Sequence, residues 1–135
     1  INGVAYSASS YRGWYLDFPT SGERLNTNPL LVFGTLIFNT NVPSPTACTS
    51  ASYQYALDLS SGLTLPASSF PTGTTPWARR LIGNTLSTRP AMIVLSTGQL
   101  IALTQQVNGG TNASQVPQSS GSSVSKVAWK EILTQ

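Results

Sequence analysis

The stretch 13–40 limits what this chain can fold into more than any other, because it crowds aromatic and aliphatic β-formers between turn residues set too close together for a helix. Trp14, Tyr15, Leu16, Asp17 and Phe18 predict a strand over 14–18, stopped by Pro19-Thr20-Ser21-Gly22, which continues neither a helix nor a ladder. Pro29 closes a loop. Residues 30–33 and 36–40 then predict two short strands reversing at Gly34-Thr35, where Gly34 supplies the positive φ that a tight hairpin needs. The expected product is a β-meander.

A second informative stretch is 53–65. Tyr53, Tyr55, Leu57 and Leu59 share one strand face by period two, and Asp58 precedes a Ser60-Ser61-Gly62 turn that returns the chain into Leu63-Thr64-Leu65. The strand ending in Ala56-Leu57-Asp58 and returning after Gly62 resembles the blade hairpins of quinoprotein-like β-propellers, which implies that Asp58 caps the turn by accepting backbone N–H groups. The pattern echoes over 92–103, where a strand meets Thr97-Gly98 and reverses into another, roughly 40 residues further on. Between the two, 66–87 reads as a long connection holding Pro66, Pro71, Gly73 and Pro76, with one helical turn over 77–82. Arg79, Arg80 and Arg89 form a candidate basic patch beside Trp77, although ordinary surface charge is the plainer reading. Glu23 and Arg24 read as solvated or locally paired charges. The run 105–125 is rich in Asn, Gly, Gln and Ser and predicts a flexible loop. At the end, 126–133 alternates Val127, Trp129 and Glu131 against Ala128, Lys130 and Ile132, the pattern of a last strand with Trp129 packed into the sheet. Trp14 and Tyr15 are assigned to the core with it, and Gly3-Val4-Ala5-Tyr6 is a candidate for pairing at a sheet edge.

The chain's 135 residues suffice for one domain with its own core. Only 8% are charged, a balance that suits a secreted or surface-displayed β protein. The net charge of +3 reflects scarce acids, namely Asp17, Glu23, Asp58 and Glu131, and so argues against nucleic acid as a partner. No run nears the roughly 18 apolar residues of a membrane span, and no signal-peptide pattern opens the chain. Its start at Ile1 is expected of a processed product or a piece of a longer protein. Cys48, the one cysteine, has no partner within the chain, so it is either bridged elsewhere or a free thiol. The sequence contains no histidine, which removes Ser-His-Asp and Cys-His catalysis, imidazole bases and His-based zinc sites. Asp17 and Glu23 make a poor glycosidase pair across an intervening turn, and neither a phosphate loop nor a calcium loop is recognisable. The Asn112-Ala113-Ser114 sequon is incidental if the source is bacterial. The expectation is neither an enzyme nor the holder of a cofactor or metal.

The run Trp14-Tyr15-Leu16-Asp17-Phe18-Pro19-Thr20-Ser21-Gly22-Glu23-Arg24, followed by Thr27-Asn28-Pro29, Leu36-Ile37-Phe38, Pro43-Ser44, Cys48 and Tyr55-Ala56-Leu57-Asp58, resembles the C-terminal region of the PilC/PilY1 family of bacterial type IV pilus tip adhesins and biogenesis factors. The resemblance is strongest over 13–62 and resumes weakly at 127–133. It implies antiparallel blade-like sheets forming the C-terminal part of a quinoprotein-like β-propeller, on the cell surface or pilus tip. A propeller needs about four to eight four-stranded blades, so the chain cannot close a ring by itself. The implied partners are the rest of the parent propeller, minor pilins or the pilus tip, and a host or surface receptor. Cys48 would bridge to the missing region. The family's calcium-binding loop has no matching motif here. Trp77, Arg79 and Arg80 in the long connection are the candidate partner-binding residues. The Ala56-Leu57-Asp58…Gly62 hairpin equally fits a fragment of a quinoprotein-like dehydrogenase, and a purely structural pilus-assembly role is the remaining alternative.

Overall fold

The computed structural model describes residues 13–44 and 50–118, which form two antiparallel sheets and a single 3-10 turn. Strands β1 (Leu30–Val32), β2 (Thr35–Val42), β3 (Ala51–Asp58) and β4 (Arg79–Gly83) form the first sheet in sequence order. Strands β5 (Ala91–Val94), β6 (Leu100–Gln105) and β7 (Thr111–Gln115) form the second, again in sequence order. Each sheet is a meander. The β1–β2 reversal is a two-residue loop in which both Phe33 and Gly34 have positive φ, 46° and 75°, the sense of turn that matches the twist of the flanking strands.

Pairing of β2 with β3 sets Ile37 beside Ala56, Asn39 beside Gln54 and Asn41 beside Ser52 on the face that meets the second sheet. Ile37 packs there against Leu100, Ala102 and Val116. Beyond this apolar plug the contact between the sheets is polar. The Asn39 side-chain amide donates to the Thr88 carbonyl at 2.8 Å and to Thr104 Oγ1 at 3.0 Å. Asn41 donates to the Ser87 carbonyl at 3.0 Å and accepts from the Ser87 N–H at 2.8 Å. The opposite face of the first sheet carries Phe38, Tyr55 and Leu57, with Trp14, Leu16 and Phe18 laid over them. Phe38 and Tyr55 stack with centroids 4.8 Å apart, and Phe18 tilts onto Tyr55 at 5.7 Å. Both faces of the first sheet are therefore covered.

The expected hairpins at 30–40 and 92–103 form, the Tyr53, Tyr55 and Leu57 side chains share a face, and Asp58 Oδ1 accepts the N–H groups of Ser60 and Ser61 at 3.0 Å each. Five expectations are corrected. Residues 14–18 pair in no ladder; they form an extended strap held by side chains, with the Trp14 indole N–H donating to the Leu59 carbonyl at 2.7 Å. Tyr15 points away from the core and is 71% exposed, because alternate strap residues face solvent. The expected helical turn over 77–82 gives way to β4, since pairing with β3 buries Ile82 and Ala78 in a way that one isolated helical turn would not. Part of the expected flexible loop, Thr111–Gln115, is strand β7 after a tight turn in which Gln106 N–H reaches the Gly110 carbonyl at 2.7 Å. The return after Gly62 is also slighter than expected, a single bridge between Leu57 and Thr64. The candidate edge at 3–6, Cys48, residues 119–125 and the closing strand with Trp129 lie outside the described residues.

Two substitutions test these constraints. Gly62 has φ +70°, and a Cβ there would stand 2.4 Å from Trp14 Cδ2, so Gly62→Ala should lower unfolding free energy by about 2 kcal/mol, read by denaturant titration. Phe33→Asn, which suits a left-handed residue better, should raise it by about 1 kcal/mol in the same titration.

Candidate functional site

Strand β4 places two consecutive arginines on opposite faces of the first sheet, because side chains alternate along a strand. Arg79 points to the strap side and Arg80 to the side of the second sheet. Their surroundings differ sharply in charge.

On the strap side the turn at 19–22 folds Glu23 inward, its N–H held by the Thr20 carbonyl at 3.1 Å. The Glu23 side chain is fully buried. One carboxylate oxygen, Oε1, accepts from Thr40 Oγ1 and from the Tyr55 hydroxyl at 2.7 Å. The other, Oε2, accepts from Arg79 Nη2 at 2.8 Å. Arg79 also donates to Thr20 Oγ1, and its guanidinium lies 3.4 Å above the Tyr53 ring centroid. Burial by itself would raise the Glu23 carboxyl. The hydrogen bonds from Thr40, Tyr55 and Arg79 and the Arg79 charge outweigh it, and hold Glu23 below the usual glutamate range. Burial, then the adjacent carboxylate, pushes the Tyr55 phenol upward, so it remains a donor. Glu23 is thus an ionised anchor and a poor general acid.

On the other side Arg80 lies flat against Trp77, with Cζ 4.2 Å from the ring centroid, and Trp77 meets Phe70 edge-on at 6.0 Å. Arg80 Nη2 donates to Gln54 Oε1 at 2.7 Å, an atom that also accepts from Ser114 Oγ at 2.8 Å. Its Nε is buried with no acceptor. Burial pulls the Arg80 pKa down, and no carboxylate among the described residues offsets it.

Of the sequence candidates, Trp77 and Arg80 come together, whereas Arg79 is committed to Glu23 on the far face and Arg89 makes no ring contact with Trp77 among the described residues. The basic patch is therefore divided. Glu23, read from sequence as solvated or locally paired, is instead the buried partner of a residue far along the chain. Sequence reasoning missed Gln54 and Phe70 as well; the period-two alternation of 53–57 could have placed Gln54 on the face opposite the tyrosines. Asp58 is spent on its own turn, its carboxyl held low against the opposing effect of burial by hydrogen bonds from Ser60 and Ser61. Among the described residues no cluster of potential metal ligands occurs, and no helix is long and apolar enough to cross a membrane.

Arg79→Met should lower unfolding free energy by about 3 kcal/mol, since it leaves the Glu23 charge buried and short of its cation. The pH dependence has a definite sign. A carboxyl whose folded pKa lies below its unfolded value near 4.5 contributes stability above that value and loses it as pH falls through the folded pKa. Acid titration of the melting temperature should therefore show a loss below about pH 4.5 that Glu23→Gln diminishes.

Compared with known proteins, the chain matches no family model, no curated protein and no solved structure. Its functional reading rests on its own residues.

Proposed function

We propose that this chain is a binding module from a larger blade-built surface protein, the tip-associated adhesin and biogenesis factor of a type IV pilus, and that it works by recognition. The observation that carries this reading is the stacking of two successive antiparallel meanders, with no described strand packed on the outer face of the second. That outer face pairs Ile93 with Ile101 and sets Ala91, Leu103 and Ala113 in one row, and Ile93 is 42% exposed. An apolar sheet face of this kind suits contact with a further sheet in a parent propeller.

The recognition role is supported by how the polar side chains are used. Glu23, Asp58, Asn39 and Asn41 satisfy neighbouring segments of the fold, so they are structural groups held in fixed partnerships. The strap motif that resembles the pilus-tip family is a covering for the first sheet, and Trp77 with Arg80 supplies a contact point at its edge. Minor pilins and a surface receptor are the partners this reading calls for, outside the cell. Cys48 bridging to the rest of the parent protein belongs to the same proposal.

An immunoblot of sheared surface pili with antibody to this chain tests the reading. A band much larger than 14.3 kDa that fractionates with pili is expected, and a reductant-dependent shift would place Cys48 in a bridge. A small soluble species with nothing in the pilus fraction would overturn it. Visible absorbance of the native protein checks the competing dehydrogenase reading, which requires a bound quinone.

A further inference from the structure

We propose that the outer edge of β4 receives an extended acidic segment of a protein partner, whose Asp or Glu side chain seats on Arg80. This deepens the binding role proposed above and rests on it.

The first observation is the missing counter-charge. Both arginines have a buried Nε without an acceptor, but Arg79 has a carboxylate, a hydroxyl and an aromatic face, whereas Arg80 has one neutral amide oxygen and an indole. Gln54 cannot turn to give more, because Ser114 holds the same oxygen and Asn39 Oδ1 lies 3.5 Å from its amide nitrogen. Among the described residues the acids are elsewhere: Glu23 is bound to Arg79, Asp58 to its own turn, and Asp17 makes no ion pair. A partly desolvated guanidinium is costly until an anion completes it.

The second observation is an open edge beside that charge. Among the described residues β4 is the last strand of its sheet and pairs with β3 alone. The Ala56 N–H bonds to the Ala78 carbonyl at 3.1 Å. By alternation, the backbone of Arg80 faces β3, and the N–H and C=O groups of Arg79 and Leu81 face outward. A peptide added antiparallel along this edge would bond to Arg79 and Leu81. Its residue opposite Arg80 would then fall in a position without backbone bonds, where facing side chains approach most closely. An acid at that position meets the unpaired guanidinium. One arginine, with Arg79 turned to the other face, suits the single charge of a carboxylate, and the occupied indole face favours a peptide over a stacking sugar.

The test uses the full chain and a short capped peptide of alternating Thr and Val with one central Glu, beside its Gln twin and a version N-methylated on both residues flanking the Glu. Binding is followed by chemical shifts of the Arg80 Nε–H and the β4 amides. The Glu peptide should bind, with the Gln twin and the N-methylated peptide each weaker by about tenfold or more. Arg80→Met should abolish the preference for Glu over Gln while leaving the free chain at least as heat-stable, because it removes an uncompensated charge. Arg80→Lys, which keeps the charge without the fork, should retain part of the preference if Arg80→Met fails to fold. Equal binding of the Glu and Gln peptides, or no binding of either, would overturn the proposal. So would a fall in melting temperature on Glu131→Gln that is absent in an Arg80→Met background, since the chain's own acid would then supply the carboxylate. None of these outcomes depends on where the parent protein is found, so the pilus reading can fail or stand separately.

Discussion

A single buried carboxylate holds this fold in register. Glu23 reaches β2 through Thr40, β3 through Tyr55 and β4 through Arg79, while its own turn fastens it to Thr20. Withdrawing a charge from water is expensive, and the cost is offset only when its oxygens meet well-placed donors. Such a group discriminates strongly among arrangements, because any slip of the strap or of β4 strands it. The aromatic layer of Trp14, Phe18, Phe38 and Tyr55 supplies the non-directional adhesion of the strap, and Glu23 decides where that adhesion settles.

Polar groups play a comparable part between the sheets. Asn39, Asn41 and Gln54 occupy positions where aliphatic residues would usually pack, and each is bonded to the second sheet or its flanking segment. A purely apolar contact would tolerate sliding. Amides that are satisfied in one register resist it, since a displaced amide loses its partner in a low-dielectric setting. The apolar plug of Ile37, Leu100, Ala102 and Val116 closes one end of that contact.

The two arginines of β4 show how adjacent residues of one type acquire different physical characters. Arg79 is neutralised by Glu23 and belongs to the architecture. Among the described residues Arg80 is held by Trp77 and Gln54 but not neutralised, and its strand has no partner on the side away from β3. Desolvation acts on both, and only one has received a compensating charge.

Local rules made much of the strand content legible: a reversal at Gly34, which falls on Phe33-Gly34, one residue before the expected Gly34-Thr35, the Asp58 cap, the hairpin around Thr97-Gly98 and the tyrosine face of β3 follow from period-two alternation and turn chemistry. These depend on residues a few positions apart, which the sequence displays directly. β7 was hidden because Thr111–Gln115 is polar and gains its place by pairing with β6 rather than by burying apolar side chains of its own. The strap at 14–18 has strand composition without a ladder, since it lies across a face of the first sheet, where side chains project and backbone N–H and C=O groups do not. The Trp77–Arg80 pair was visible as proximity in sequence, but its isolation from Arg79 required knowing that 79–83 is a strand. Glu23 and Arg79 lie 56 residues apart, and no local pattern announces that they meet. Chain order and side-chain period determined the hairpins; the tertiary packing alone decided which charges were buried, which were paired, and which one met no carboxylate among the described residues.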